Sequence, residues 1–514
     1  MSEGFGKIES MFDHPFPDAD HLAALSDAEL IDAAGGWARA ENSACAHKLA
    51  VMAEIFARRT GLPAGERELW WIDPEAAVVA ELAAAQNVTR SMALHQTHRG
   101  VALRDRLPRV AALFRAGLIS EMLVRTIVFR TDLIDDDAAM AAVDAELAAQ
   151  ITAWGAKSIV KTEQAIDALV DRHDPGALRR SRESAGSRDV TIGSPADAPG
   201  FTSVWARLYA PDAAIIEKCV REMAYCVCER DPRSAGERRA DALTALVAGG
   251  ALACQCGADD CEVAGRGDAP AKNTVIYVIA DARQPEQRQP TDEVPGDESE
   301  ARVGEACATR LGALAPAFVF GAGIVPPALL GGMLDRARFR SITHPGQATP
   351  EAGYTPSRAL ADFVRCRDLT CRFPGCDNAA TEADIDHTVP YPVGPTHASN
   401  LKILCRFHHL LKTFWNGDGG WQDRQLPDGT VIWTSPTGHT YTTQPGGAAL
   451  FPALSPPTRE LWDGDPPTID EDNRRGAMMP RRRHSRAANR SRAVAAERRL
   501  NDDHVAERNR PPPF

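Results

Sequence analysis

The chain predicts a mainly α-helical protein with a small α+β middle region and a C-terminal module braced by metal. Three observations carry this. Ala-rich sequence with helix-starting signals fills residues 1–180, strand-like and helix-like runs alternate over residues 181–345, and four soft metal ligands gather inside residues 371–408. With 514 residues and 44% hydrophobic content the chain is long enough for two or three domains and a sizeable core.

In the N-terminal part, Ser26-Asp-Ala-Glu29 forms a capping box ahead of LIDAAGGWARAENSACAHKLAVMAEIFARR, and Ala-rich helical sequence continues from Glu75 to about Val170. Residues 1–16 are acidic and aromatic, without a basic segment leading into an apolar one, so a secretory leader is not expected and the location expected is cytoplasmic. VAALFRAGLISEMLVRTIV places Gly117 between two helical runs with Ser120 as N-cap, and Arg109, Arg115, Arg125 and Arg130 surround it. That outline fits a DNA-reading helix-turn-helix and equally an ordinary helical hairpin.

The middle region, 181–345, mixes element types. FTSVWARLYA and NTVIYVIADA read as strands, PDAAIIEKCVREMAYC and RRADALTALVAG as helices, and residues 283–303 as an acidic Pro-rich linker. Residues 311–334 carry no charge, but Pro316, Pro326, Pro327 and five glycines interrupt them. A buried strand and a short Pro-initiated helix therefore fit better than a membrane span. Cys254, Cys256 and Cys261 make a further cluster, which Cys226 and Cys228 could approach in space, and a metal, a redox pair or plain surface thiols all fit it.

The C-terminal module, 355–445, is the most specific part. Cys371-x4-Cys376 and Cys405-x2-His408 are two knuckles facing each other across 28 residues, the three-cysteine, one-histidine donor set of a closed tetrahedral zinc site. Around them stand Asp386, His387, Asn400 and His409. The segment 366–421 resembles the HNH endonuclease family, whose ββα-metal motif carries Asp-His on its first strand, Asn in the connecting loop and a last His on the helix. The resemblance implies Asp386 and His409 as ligands of a catalytic divalent ion, His387 as general base, and Asn400 as either a metal ligand or a brace for the loop that aims His387. Upstream, the chain resembles actinobacterial repeat proteins that pair a helical domain of unknown function with a C-terminal HNH module.

The chemistry is consistent with that likeness. Phosphodiester hydrolysis needs a base for water, a cation for the charge on phosphate and leaving oxygen, and a scaffold for both. A carboxylate with an imidazole suits Mg²⁺ or Mn²⁺, with Zn²⁺ or Ni²⁺ as alternatives. Neighbours on a strand point to opposite faces, so one of Asp386 and His387 ligates while the other is free to take a proton. His408 and His409 lie about 100° apart on a helix, and their assignment to zinc and to the catalytic ion could be exchanged. Thr413 stands where some of these nucleases place a second His one turn on. Past the module, WQDRQLPDGTVIWTSPTGHTYTT holds two turn signals between β-prone runs and predicts a closing hairpin, with Trp421 and Trp433 as packing residues.

The formal charge of −12 is unevenly distributed. Residues 474–510 contain 12 arginines and four acids, about +8, which leaves everything before them near −20. The segment 465–514 therefore predicts a basic tail, disordered or only partly helical, acting either as a non-specific DNA-holding arm or as a solubilising extension. Lys412, Arg481, Arg482 and Arg483 are the expected phosphate contacts. The function expected is a metal-dependent HNH endonuclease acting on DNA, with no membrane partner. The rivals are a non-cleaving DNA-binding or partner-binding protein that keeps the zinc-braced fold, and RNA as substrate.

Overall fold

Helix formation begins where the capping signal places it. In the computed structural model, which describes residues 19–61, 65–179, 189–194, 197–198, 201–208, 210–261, 278–279, 317–320, 323–325, 340–416, 419–467 and 478–510, the Glu29 carboxylate accepts from Ser26 N at 2.8 Å and Ser26 Oγ accepts from Glu29 N at 3.4 Å. Helix α1 (Asp27–Thr60) starts there. It is followed by α2 (Pro74–Gln86), α3 (Arg90–Asp105), α4 (Pro108–Arg115), α5 (Glu121–Thr131), α6 (Asp137–Gln150) and α7 (Ile159–His173). Leu49, Phe114, Ile127, Val143, Leu147 and Ile166 form the centre of one apolar core across these helices. Gly117, at φ +74°, connects α4 to α5 so closely under α1 that a Cβ would stand 2.4 Å from Arg39 O. Ser43 Oγ also donates to Arg115 O at 2.7 Å. The α4–α5 outline is thus a hairpin packed on α1. Arg130 is buried against Asp167 on α7, with Nε 2.6 Å from Oδ1, while Arg109, Arg115 and Arg125 are exposed.

The chain divides into two compact units, Met1–Arg180 with Ile342–Phe514, and Ser181–Ser341. Within the second unit, β1 (Asp189–Ile192) pairs antiparallel with β2 (Val204–Arg207), and helices α8 (Ala210–Ala224) and α9 (Ala235–Val247) pack on each other. The short strands β3 (Val278–Ile279), β4 (Ala317–Val319) and β5 (Gly323–Val325) form an antiparallel sheet in the order β3-β4-β5. The expected linker 283–303 and the Pro-initiated helix after residue 325 lie outside the described residues. No helix of the described residues is long and apolar enough to cross a membrane.

The remainder of the first unit carries α10 (Arg358–Asp368), β6 (Asp384–His387), β7 (Leu401–Leu404), α11 (Arg406–Phe414), β8 (Gln422–Gln425), β9 (Val431–Thr434), β10 (Thr440–Thr443) and α12 (Gly447–Leu450). Strands β6 and β7 pair antiparallel with Asp386 opposite Lys402, and α11 follows β7 directly. The closing hairpin expected over residues 421–443 gains a third strand, giving an antiparallel meander in the order β10-β9-β8. Trp421 and Trp433 are fully buried in it.

Two features of the organisation go beyond what the segment boundaries in the sequence convey. First, 355–445 does not stand apart from 1–180. Ile72, Ala76, Ala80 and Ala84 form one core with Cys371, Phe373, Leu404, Leu410, Leu411, Trp421 and Trp433. The alanine face of α2 allows this close approach, and Gly375 (φ +72°) lies so near that a Cβ would meet Val88 O at 2.7 Å.

Second, the basic C-terminal segment is folded where it is described, into α13 (Arg486–Arg498) and α14 (Asp502–Arg508). Its charge is matched by carboxylates of the helical part. Arg482 Nη1 and Arg486 Nε each lie 2.5 Å from Asp73 Oδ2, Arg498 Nη1 lies 2.7 Å from Asp174 Oδ2, and His504 Nε2 lies 2.9 Å from Asp171 Oδ1. Arg490 pairs with Asp132 and Arg508 with Asp171. Buried Asn501 donates to Gly176 O and Leu178 O at 2.9 and 2.7 Å. A segment too polar to build its own core is ordered by complementary charge from distant sequence.

Candidate metal centre and adjoining polar site

Cys371, Cys376, Cys405 and His408 converge with all ligand atoms within 4.8 Å of one another. Cys405 is the N-cap residue of α11 and its side chain makes no capping hydrogen bond. His408, one turn on, brings Nδ1 to 3.3 Å from Cys405 Sγ and 3.5 Å from Cys371 Sγ. The His408 ring stacks on Phe373 with centroids 3.9 Å apart, and Phe373 packs edge-on against Trp421 and Trp433. Burial pushes the Cys371 thiol well above its ordinary range, while hydrogen bonds from Cys371 and Cys376 hold the Cys405 sulfur well below it. Three sulfurs and one imidazole nitrogen at this spacing can hold a metal ion such as zinc.

Residues of β6, β7 and α11 also build a polar site. Asp386 is buried, and its Oδ2 accepts from Lys402 Nζ at 2.7 Å and Lys412 Nζ at 2.6 Å. Both lysines also pair with Asp423, at 2.6 and 3.3 Å. Burial alone would raise Asp386, yet Lys402 and Lys412 hold its carboxyl well below the usual carboxylate range. The other oxygen, Oδ1, faces His409 Nε2 at 3.6 Å. His409 Nδ1 is 2.8 Å from Asp384 Oδ2, so this carboxylate accepts from Nδ1–H and fixes the ring with Nε2 facing Asp386.

His387 turns the opposite way from Asp386, as alternation along a strand requires. Its Nε2 is 2.9 Å from Thr396 Oγ1 and its ring stacks on Tyr354 with centroids 5.2 Å apart. Burial holds its pKa below the ordinary imidazole value, with Lys412 and Lys402 acting in the same direction against Asp386. Asn400 has its side chain committed to the loop between the strands. Oδ1 accepts from Val389 N at 2.8 Å, and Nδ2 donates to Val389 O at 2.9 Å and Pro395 O at 3.0 Å. Gly394 fits there because a Cβ would stand 2.0 Å from Val389 O. Of the two roles open to Asn400 in the sequence, the geometry is that of the loop brace.

The expected phosphate contacts fall in different places. Lys412 does not project to solvent: it is buried, and besides Asp386 its Nζ donates to His387 O at 2.7 Å and Thr388 O at 3.1 Å. The Asp386 and Asp423 carboxylates draw it inward. Arg482 is bound to Asp73, whereas Arg481 and Arg483 are exposed. Thr413 donates its hydroxyl to His409 O at 2.8 Å within the helix.

Asp384, Thr396, Lys402 and Asp423 escape a reading of the sequence. Only Asp384 leaves a local signal, since two residues before Asp386 it shares the same strand face. Lys402 and Asp423 become partners of the site only through cross-strand pairing and the following meander.

The family described as "Domain of unknown function (DUF222)" matches residues 37–368, ending just before Cys371. The chain is 46% identical to "Uncharacterized protein Rv2100" of Mycobacterium tuberculosis over all of this chain and 95% of that protein. It is also 46% identical to "Uncharacterized protein Rv3776" of the same species, over 98% of this chain and 95% of the relative. A third M. tuberculosis relative, "Uncharacterized protein in est 3'region", is 42% identical over 69% of this chain and its own full length. No solved structure matches.

Proposed function

This chain belongs to the DUF222 family, whose description names no activity, and from its polar site we propose that it is a metal-dependent HNH-type endonuclease that hydrolyses DNA phosphodiester bonds. The observation that carries the reading is the facing pair Asp386 Oδ1 and His409 Nε2, 3.6 Å apart. These are one hard oxygen and one imidazole nitrogen, each oriented by a second partner. They would hold Mg²⁺ or Mn²⁺, with Zn²⁺ or Ni²⁺ as alternatives. The ion's contribution there is charge stabilisation of the phosphate and leaving oxygen.

The protein's own residues do the rest. His387 takes the proton of the attacking water, which its depressed basicity favours by keeping the ring neutral near pH 7. Asn400 braces the 389–395 loop behind His387. The Cys371, Cys376, Cys405 and His408 centre would hold zinc at the start of α11 and so keep His409 facing Asp386. Exposed Arg481 and Arg483 offer phosphate contacts that read no sequence.

A second reading has its own support. Asp386 Oδ2 is occupied by two ammonium groups, and Thr413 stands in place of a second imidazole, so the divalent site has a sparse ligand set. A DNA-binding or partner-binding protein that no longer cuts would tolerate that. Incubation of supercoiled plasmid with purified protein and Mg²⁺, Mn²⁺, Ni²⁺ or EDTA, beside His387→Ala, decides between them. Divalent-dependent nicking lost in His387→Ala supports the nuclease, and plasmid retardation without nicking supports the second reading. A parallel labelled RNA separates the substrates.

A further inference from the structure

The Ser181–Ser341 unit contains a second thiol cluster, separate from the polar site and independent of the nuclease reading. We propose that Cys228, Cys254, Cys256 and Cys261 form a second structural zinc site, with cysteine as all four ligands.

The four sulfurs lie within 4.8 Å of one another, with Cys228 Sγ 3.4 Å from Cys254 Sγ. A zinc–sulfur bond of about 2.3 Å gives a tetrahedral edge of about 3.8 Å, which this spacing brackets. All four are free thiols, and 3.4 Å is far beyond a disulfide bond. The cluster is also too tight for an iron–sulfur cluster to sit among the sulfurs. Cys226, the other cysteine the sequence brings near, turns its thiol to Glu222 O at 3.2 Å and takes no part.

The surrounding backbone is shaped for such a centre. Asp231 N donates to Cys228 O and Cys261 N to Ala258 O, each at 3.1 Å, so both cysteine-bearing loops are tight turns. Gly257, directly after Cys256, adopts φ +66°, a conformation that favours glycine. A buried ion pair fastens the two loops together. Asp231 Oδ2 accepts from Arg233 Nη2 at 2.8 Å and from Gln255 N at 2.9 Å, and Arg233 Nη2 donates to Ala253 O at 2.6 Å. Arg230 stands beside the Cys228 thiol, its guanidinium 2.9 Å from Asp260 Oδ1, and offsets part of the charge of a four-thiolate centre.

The energetic need is clear as well. Among the described residues, the buried apolar side chains joining α8 and α9 to these loops are Ala224, Val227, Ala242 and Leu252. So small a core stabilises little by burial alone, and a tetrahedral metal is a common substitute.

The test is zinc content per chain, by mass spectrometry of the full-length protein purified under reducing conditions without chelator. The proposal expects two zinc ions in the wild type, one in Cys371→Ser, one in Cys256→Ser, and near-complete retention in Cys256→His. If Cys256→Ser fails to fold, the wild type and Cys371→Ser still decide. Cobalt substituted into Cys371→Ser should then show the intense sulfur-to-metal absorption of a tetrahedral thiolate site. One zinc per wild-type chain that vanishes in Cys371→Ser, iron in place of the second zinc, or a Cys228–Cys254 disulfide in the native protein would each overturn the proposal.

Discussion

His387 Nε2 lies 2.9 Å from the Thr396 hydroxyl oxygen, and that hydroxyl gives its own hydrogen to Gly353 O at 2.6 Å. A hydroxyl has one hydrogen to donate, so Thr396 can only accept from the ring. The neutral imidazole must carry its proton on Nε2, which leaves Nδ1 as the basic nitrogen. Thr396→Val keeps the shape and removes the acceptor. In the proposed nuclease, nicking should fall about 10- to 100-fold, the usual cost of losing a histidine's orienting partner. Nitrogen chemical shifts of the His387 ring should show mixed tautomers. Unchanged nicking with a single tautomer would place the control of this ring elsewhere.

The buried histidines also set a pH dependence of stability. Burial holds both His387 and His397 below the ordinary value of 6.5. His397 Nδ1 moreover accepts from Ser399 N at 3.1 Å, a bond that protonation destroys. A histidine with a depressed folded-state pKa takes up its proton more readily when unfolded. The stability it contributes is complete above about 6.5 and is lost as pH falls through the lower folded values. Denaturant midpoints should be level between pH 7 and 8 and decline below 6.5. A midpoint unchanged down to pH 5 would contradict this.

Asp384 is the partner that orients His409, and its side chain is 40% exposed, so it can be changed without emptying a core. Asp384→Asn should leave the fold intact and raise the divalent-ion concentration needed for nicking about 10- to 100-fold, with rescue at higher metal concentration. Asp386→Ala should behave differently. It removes the counter-charge of buried Lys402 and Lys412 as well as a ligand oxygen, and should cost about 3 kcal/mol of stability that added metal does not restore.

What the chain reveals locally follows from short-range chemistry. The Ser26–Glu29 capping box, the Ser120 cap and the 421–443 turns act over a few residues, so their spacing is already the geometry. The Cys371–Cys376 and Cys405–His408 knuckles are equally legible, because each is a turn of fixed length. The joining of α2 to the metal centre is not legible. Ala76, Ala80 and Ala84 lie in an Ala-rich helix whose faces look alike in sequence, and only the approach of Phe373 and Trp421 distinguishes them. The fold of the arginine-rich segment is hidden for a similar reason. Its partners Asp73, Asp132, Asp171 and Asp174 lie more than 300 residues upstream, and nothing local pairs them with an arginine.

Because Cys371 and Cys405 belong to the same core as Ile72 and Ala80, loss of metal should be felt well beyond the knuckles. Metal binding of about 10 kcal/mol is comparable with the whole stability of an ordinary domain. Prolonged chelation, or Cys371→Ser, should loosen the 371–443 segment and expose Trp421 and Trp433, read as a red shift of tryptophan emission and a lowered Tm. Unaltered emission after complete removal of metal would show that the shared core holds without it.

The ion pairs of the C-terminal segment change the outcome expected for its removal. As a free arm, its loss after Asp472 would only weaken DNA binding and reduce the salt slope by about 0.9 per lost phosphate contact. In the folded protein Arg482 and Arg486 close over Asp73, the buried residue that also caps α2 through Ala76 N at 2.9 Å. Truncation after Asp472 should therefore lower the Tm and open α2 to proteolysis, whatever it does to DNA. Asp73→Ala removes the cap and both pairings together, for a cost of about 2 kcal/mol. Raised ionic strength should screen the more exposed contacts, such as Arg490 with Asp132, and make α13 progressively protease-sensitive. DNA should act on the same equilibrium, since any phosphate that engages these arginines must displace the carboxylates already holding them. Truncation that leaves Tm and proteolysis unchanged would return the segment to the role of a detached arm.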